Sequence, residues 1–186
     1  NMLQLAVLYE QNNKQTQAEN LYKTIAAKVE NPVLGYSPLV RFYHRRGRTT
    51  DAENIIDRLI KAADERGDKS TLVGLYILWG QLIADSKPTA ARNALLKATQ
   101  IDDQDPRAWM ALTEFYIPRK QWSDAAEAMD KYTRLRPKDR LAAKRLVEIH
   151  IEAGNFETAK NELDDILNND PSDVQAMTLR AILHQR

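Results

Sequence analysis

A chain that repeats itself at a fixed step of a few tens of residues folds as stacked copies of one small unit, because a single copy cannot bury its own apolar face. Here the step is 34: Ala91, Ala125 and Ala159 follow one another at that interval, as do Leu95, Met129 and Leu163. Leu112 pairs with Leu146 and Pro137 with Pro171. Nearer the N-terminus, Tyr9 pairs with Tyr43, and Thr16-Gln17-Ala18-Glu19 with Thr50-Asp51-Ala52-Glu53. From Ala52 to Ala91 the step is 39, so five residues are inserted between the two blocks. The polar stretch Lys61–Ser70, which holds Gly67, is where they are expected.

Within each unit the apolar residues recur at helical spacing and turn signals fall midway. Leu112, Phe115 and Tyr116, then Ala125, Ala128, Met129 and Tyr132, fit a period of about 3.6 on two helices. Gly47 and Gly154 stand where a first helix should end in a left-handed residue. Thr16 and Thr50 each precede a Glu by three residues, the capping-box spacing that opens a second helix. Pro88 suits a first helical turn, and Pro106, Pro137 and Pro171 punctuate the links between units. The reading is eleven helices, at 1–11, 15–29, 34–46, 50–66, 70–84, 87–101, 106–118, 121–135, 139–153, 156–169 and 173–186, with no alternating run that signals a strand.

Composition narrows the function classes. With no cysteine among 186 residues, disulfide scaffolds, thiolate metal sites and cysteine nucleophiles are excluded. A formal net charge of +1 argues against a general nucleic-acid binder, which carries a basic excess. The longest apolar-rich stretch, Leu72–Ala84, contains Gly74, Gly80 and Gln81; it falls short of the ~18 residues of a membrane span and reads as a buried helix. Both cytoplasm and periplasm suit such a chain. It opens at Asn1 without a leader, and its last helix ends without cap or partner, as a piece of a longer protein would.

The spaced residues resemble the tetratricopeptide repeat. That family's 34-residue unit runs Trp-x2-Leu-Gly-x2-Tyr, then Ala, an aromatic, Ala and Pro. Trp109, Leu112, Tyr116, Ala125 and Pro137 occupy those places in one unit; Leu146, Gly154, Phe156, Ala159 and Pro171 in the next; Tyr36, Leu39, Tyr43, Gly47 and Ala52 in a third. The small residue after Leu is replaced by Val40, Thr113 and Val147, which predicts looser helix packing there. Around residue 76 two registers compete. One places Tyr76, Trp79, Gly80 and Ile83 inside and requires a turn one residue short; the other places Leu75, Leu78 and Leu82 inside. The first is preferred, because a mid-helix glycine costs about 1 kcal/mol and marks close backbone approach. Trp109 is expected to be an interior residue whose loss costs about 3–5 kcal/mol.

What the resemblance implies is an all-α superhelix of about six stacked helix-turn-helix units, at 1–32, 33–70, 71–105, 106–139, 140–173 and an incomplete 174–186, forming one array. It also implies a non-catalytic protein-interaction scaffold that receives a peptide or partner protein in a groove lined by the first helix of each unit. Carried over by position, the groove residues are Ser37, Arg41, His44 and Arg45, then Ile77 and Gln81, then Met110, Glu114 and Ile117, then Lys144, Glu148 and Ile151. Pro118 should end its helix early and narrow the groove wall. The Lys/Asn set with which co-chaperone members clamp a terminal carboxylate is not reproduced. The plain, Ala- and Arg-rich repeats are similar to bacterial tetratricopeptide proteins that accompany secretion and polysaccharide-export machinery.

No cofactor, metal or small-molecule substrate is implied. There is no His-Glu-x-x-His, no phosphate-binding glycine loop and no nucleophile elbow. His150 and His184, one repeat apart, read as partly buried replacements of the family's inward aromatic rather than as a metal pair. Asp102-Asp103 and Asp164-Asp165 read as solvated surface. The run Arg41–Arg48 carries four arginines beside Phe42, Tyr43 and His44 and no acid. It reads either as a basic site, which leaves a nucleic-acid contact open, or as cations complementing a helix C-terminus. The chain also suits an accessory domain of an enzyme whose catalytic part lies elsewhere. Self-association is a further reading, through Val174, Met177, Ala181 and Leu183 of the last helix.

Overall fold

A computed structural model describes residues 1–185. Among these the chain forms eleven α-helices and no strand: α1 Met2–Gln11, α2 Gln15–Lys28, α3 Pro32–Arg45, α4 Thr49–Glu65, α5 Lys69–Leu82, α6 Pro88–Ile101, α7 Pro106–Tyr116, α8 Trp122–Leu135, α9 Arg140–Glu152, α10 Phe156–Asn169 and α11 Val174–Leu183. Within α1–α6 and within α7–α11, consecutive helices pack against one another. Contacts gather them into two compact units, Asn1–Asp102 with α1–α6 and Asp103–Arg186 with α7–α11. Pro118 does end α7, and Ile117–Arg119 follow as a single 3-10 turn.

Two local devices recur. The first helix of each hairpin is capped by a side chain at its N-terminus: Asn1, Asn31, Asp68, Asp105, Asp139 and Asp173 each accept a backbone N–H from the first turn. Within hairpins, Asn13, Gly47, Lys120 and Gly154 take positive φ (57°, 71°, 55° and 78°). The next N–H then reaches back across the turn: Lys14 to the Tyr9 carbonyl (2.8 Å), Arg48 to Tyr43 (2.9 Å), Gln121 to Tyr116 (3.2 Å) and Asn155 to His150 (2.9 Å). The second helix starts straight from this turn. Lys14 and Arg48 hold the cap positions without a side-chain bond, and Thr16 and Thr50 lie inside the first turn, so the expected capping boxes are not formed.

The five inserted residues are divided between two places. Helix α4 has 17 residues where α2 has 14, and the link between α5 and α6, residues 83–87, has two more than the 46–48 link. An insertion of nearly one helical turn keeps α4's buried face in phase, so three of the five residues lengthen α4 and two fall in the 83–87 link, outside the polar stretch where all five were expected.

Ala18, Ala52, Ala91, Ala125 and Ala159, which mark the repeat, are all fully buried and leave room for a methyl only. Val40, Thr113 and Val147 are also fully buried, so β-branched side chains are accommodated at the small-residue position. Thr113 satisfies its hydroxyl by donating to the Trp109 carbonyl (3.0 Å). Gly80 behaves differently: a Cβ there would stand 2.7 Å from Leu95 Cγ and 3.1 Å from the Ala91 carbonyl oxygen. Gly80 and Ile83 of the preferred register are buried, so burial divides between the two registers. Leu75 and Leu78 of the rival register are buried as well, while Tyr76, Trp79 and Leu82 are half-buried. Helix α5 is covered by α6 on one side and by α3 and α4 on another, which accounts for its nearly unbroken apolar sequence.

In the first unit the core is centred on Tyr22, Leu39, Phe42, Tyr43, Ile56 and Leu75, with the Tyr22 and Phe42 rings 5.3 Å apart. In the second unit Leu112, Met129, Leu146 and Val147 are buried along α7–α9, and Val147, Leu163, Leu167 and Leu179 join α9–α11. Trp109 is not an interior residue. It is half-buried, and its indole N–H donates to the Asp103 carbonyl at 2.8 Å.

Candidate functional site

The twelve groove candidates divide between the two units. In the first, the arginine cluster is not free charge, because α1 and α2 bring acids to it. Glu10 takes Nε and Nη2 of Arg45 at 3.0 and 2.7 Å, and its backbone carbonyl accepts from Arg46. Arg48 donates to Glu19 and to Asp51, both at 2.6 Å, and lies over the Tyr43 ring. The Arg45 bond holds the Glu10 carboxyl below its ordinary value. Glu19 is driven down to about 2 by its bonds from Lys23, Tyr43 and Arg48. Arg41 remains exposed, with Nε 3.3 Å from Ser37 Oγ, and Ile77 and Gln81 lie a helical turn apart on α5. His44 is half-buried, and its Nδ1 has no hydrogen-bond partner among the described residues. Asp51 is a neighbour of Arg48 in sequence, but Glu10 and Glu19 come from positions 29 to 36 residues away, which the local run Arg41–Arg48 cannot reveal.

In the second unit the candidates separate. Lys144 is 8% exposed and pairs with Asp173 at 2.9 Å; the same carboxylate caps α11 by accepting from Ala176. Ile151 is buried in the α9–α11 core. Both side chains therefore face inward, where packing occupies them and a partner cannot reach them. Ile117, at the start of the 3-10 turn, is half-buried. Met110, Glu114 and Glu148 do come together, in a cleft of about 440 Å³ between α7, α9 and the start of α11.

The walls of this cleft follow helix geometry. Met110 and Glu114 lie four residues apart on α7, while Leu141, Arg145 and Glu148 form an i, i+4, i+7 stripe on α9. Fully buried Met129 is the floor, and Gln175 of α11 reaches Glu148 at 3.3 Å. Asp139 sits at one end, accepting from the Ala142 N–H and the Tyr132 hydroxyl, both at 3.0 Å. Leu141 is 72% exposed at the rim of this cleft. Leu141 and Arg145 were not among the sequence candidates. The signal was present: Arg107, Leu141 and Gln175 share one repeat position at the start of a first helix, and only one of the three is apolar.

A second group of interest is enclosed rather than open. His150 on α9 has Nε2 3.6 Å from Glu162 Oε1 on α10, while Glu162 Oε2 is buried without a partner among the described residues. Burial, with Asp130 of α8 and Asp165 of α10 adding to it, pushes the Glu162 carboxyl up to about 7. Burial also holds the His150 imidazole below its ordinary value, against the pull of Asp130. Asp130 is itself paired with Arg134 at 2.9 Å. His150 is thus partly buried as expected, but with a carboxylate beside it. His184 is exposed, beside Phe156 and Arg180 at the α10–α11 surface. Among the described residues no group of three or more His, Asp or Glu could hold a metal ion, and no helix is long and apolar enough to cross a membrane.

The comparisons with known proteins agree with this architecture. The sequence profile of the tetratricopeptide repeat matches residues 82–144. PilW, described as a widely conserved type IV pilus biogenesis factor, is similar in structure over 96% of this chain and 80% of its own, with a TM-score of 0.62 at 15% identity. MamA is similar over 94% of this chain and 92% of its own (TM-score 0.57, 17% identity). YrrB, described as a tetratricopeptide protein with an unusual peptide-binding site, is similar over 97% and 90% (TM-score 0.54, 17% identity). Among curated proteins none matches the sequence. Residues 82–144 thus carry the tetratricopeptide repeat sequence, and the described residues have the all-helical hairpin fold of these solved structures.

Proposed function

We propose that this chain is a non-catalytic protein-interaction module, and that the cleft between α7, α9 and α11 receives an extended segment of a partner protein. The observation that carries this is Leu141: a large aliphatic side chain held in solvent at the rim of a cleft walled by Met110, Glu114, Arg145 and Glu148 and floored by Met129. Removing it from water requires a second molecule, and the walls offer hydrogen-bonding and charged groups to orient that molecule. YrrB's peptide-binding site lends support by analogy of fold. A place in a bacterial secretion or polysaccharide-export assembly is the setting we propose, with the fold shared by the pilus biogenesis factor PilW as its support.

A nucleic-acid contact loses its motive, since Arg45, Arg46 and Arg48 are already engaged by Glu10, Glu19 and Asp51. To test the cleft, a displayed random peptide library is panned against the protein, and the winners are re-measured with Leu141→Asp. Exposure of Leu141 means that the substitution leaves the fold intact. We expect affinity to fall by roughly tenfold or more, as for an anchoring contact. Equal affinity for both proteins would place the partner elsewhere.

A further inference from the structure

We infer that the α7–α9–α11 cleft selects a basic segment carrying a large aliphatic residue. This rests on the cleft being the partner site. Three carboxylates border the cleft: Glu114 on α7, Glu148 on α9 and Asp139 at the α9 N-terminus. One guanidinium, Arg145, faces them. Asp139 already serves the Ala142 N–H and the Tyr132 hydroxyl, so its remaining acceptor capacity is the smaller. Glu114 is exposed, and Glu148 is half-buried with the long contact from Gln175 as its neighbour. The whole chain carries a net charge of only +1, so this local acidic excess does not reflect an acidic protein.

Complementarity then specifies the ligand. Lysine or arginine side chains meet Glu114 and Glu148, and like-charged segments are turned away, which gives specificity more than raw affinity. Apolar recognition comes from Leu141 with half-buried Met110, and a thioether side chain adjusts to an aliphatic group without a fixed shape. Arg145 lies one turn from Leu141 on the same stripe. It pairs with a backbone carbonyl or an occasional acid of the segment and fixes its direction.

The test uses fluorescein-labelled octapeptides in anisotropy titrations against the full chain. One has a central leucine flanked by four lysines, with serine elsewhere. A second replaces the lysines by glutamates, and a third replaces the leucine by serine. The lysine–leucine peptide should bind at least roughly tenfold more tightly than either counterpart, and the Glu114→Gln/Glu148→Gln double variant should weaken it by roughly 2- to 20-fold. That loss should shrink as salt rises. If the glutamate peptide binds as well or better, and Leu141→Asp still weakens it, the ligand class is wrong while the cleft stands. If peptide binding ignores Leu141→Asp altogether, or none of the three peptides binds, the cleft assignment fails together with the ligand class. Equal melting midpoints of the double variant and the natural chain establish that the change is in binding and not in folding.

Discussion

Glu162→Gln should change the pH dependence of stability in a direction fixed by the enclosed His150–Glu162 pair. The carboxyl is pushed from 4.5 up to about 7, chiefly by burial. A group whose folded-state value is raised contributes stability that is fully present below the unfolded value and is lost as pH rises through the folded one. The window is therefore pH 4.5 to about 7. Moving a carboxyl over that interval is worth about 3 kcal/mol. The side chain keeps 29% exposure, so water screens part of the charge and about 2 kcal/mol is the expected size. The imidazole, lowered by its own burial, adds stability as pH rises toward its ordinary value, but it is present in both proteins and drops out of their difference. Urea melts followed by circular dichroism at pH 5 and pH 8 read this out. The Gln variant should match the natural chain at pH 5 and exceed it by about 2 kcal/mol at pH 8. A stability difference that is the same at both pH values, or one favouring the natural chain at pH 8, would refute the burial argument.

Three further outcomes follow from the packing. Lys120→Gly should raise stability by about 0.5–1 kcal/mol in thermal melts, because Lys120 holds φ 55° where glycine is at ease and Gly47 and Gly154 stand in sister turns. Gly80→Val should cost about 1–3 kcal/mol or more, since even a Cβ collides with Leu95 and crowds the Ala91 carbonyl; a neutral result would mean that α5 and α6 are further apart. Trp109→Ala should cost about 2–3 kcal/mol, less than a fully interior tryptophan, through lost packing and the lost bond to the Asp103 carbonyl.

Much of this was legible in the sequence because it depends on local chemistry repeated at a fixed step. The helices are delimited by prolines, glycines and caps, and the Ala series from Ala18 to Ala159 marks where helices touch. What was not legible depends on residues brought together from a distance. Nothing near Arg45 foretells Glu10, and nothing near Lys144 says that Asp173, one unit on, will draw it into the interior. The same holds for Glu162 beside His150. Position in a repeat indicated which face of a helix a residue occupies. It did not indicate whether that face was already filled, which is why Lys144 and Ile151 fell from the candidate groove and Leu141 entered it. The number of inserted residues is plain in the repeat spacing, but their division between α4 and the 83–87 link depends on keeping a helical face in phase, which spacing alone does not encode.

The partner cleft can be tested most directly by methyl-labelled NMR. With the methyls of Met110, Met129 and Leu141 assigned, a peptide selected from the library is titrated into the full chain. The account predicts shifts at these three and quiet resonances at Leu163 and Leu179, which lie in the α9–α11 core. Shifts that spare Leu141 and Met110 and appear at Leu163, Leu183 or the first unit would contradict it.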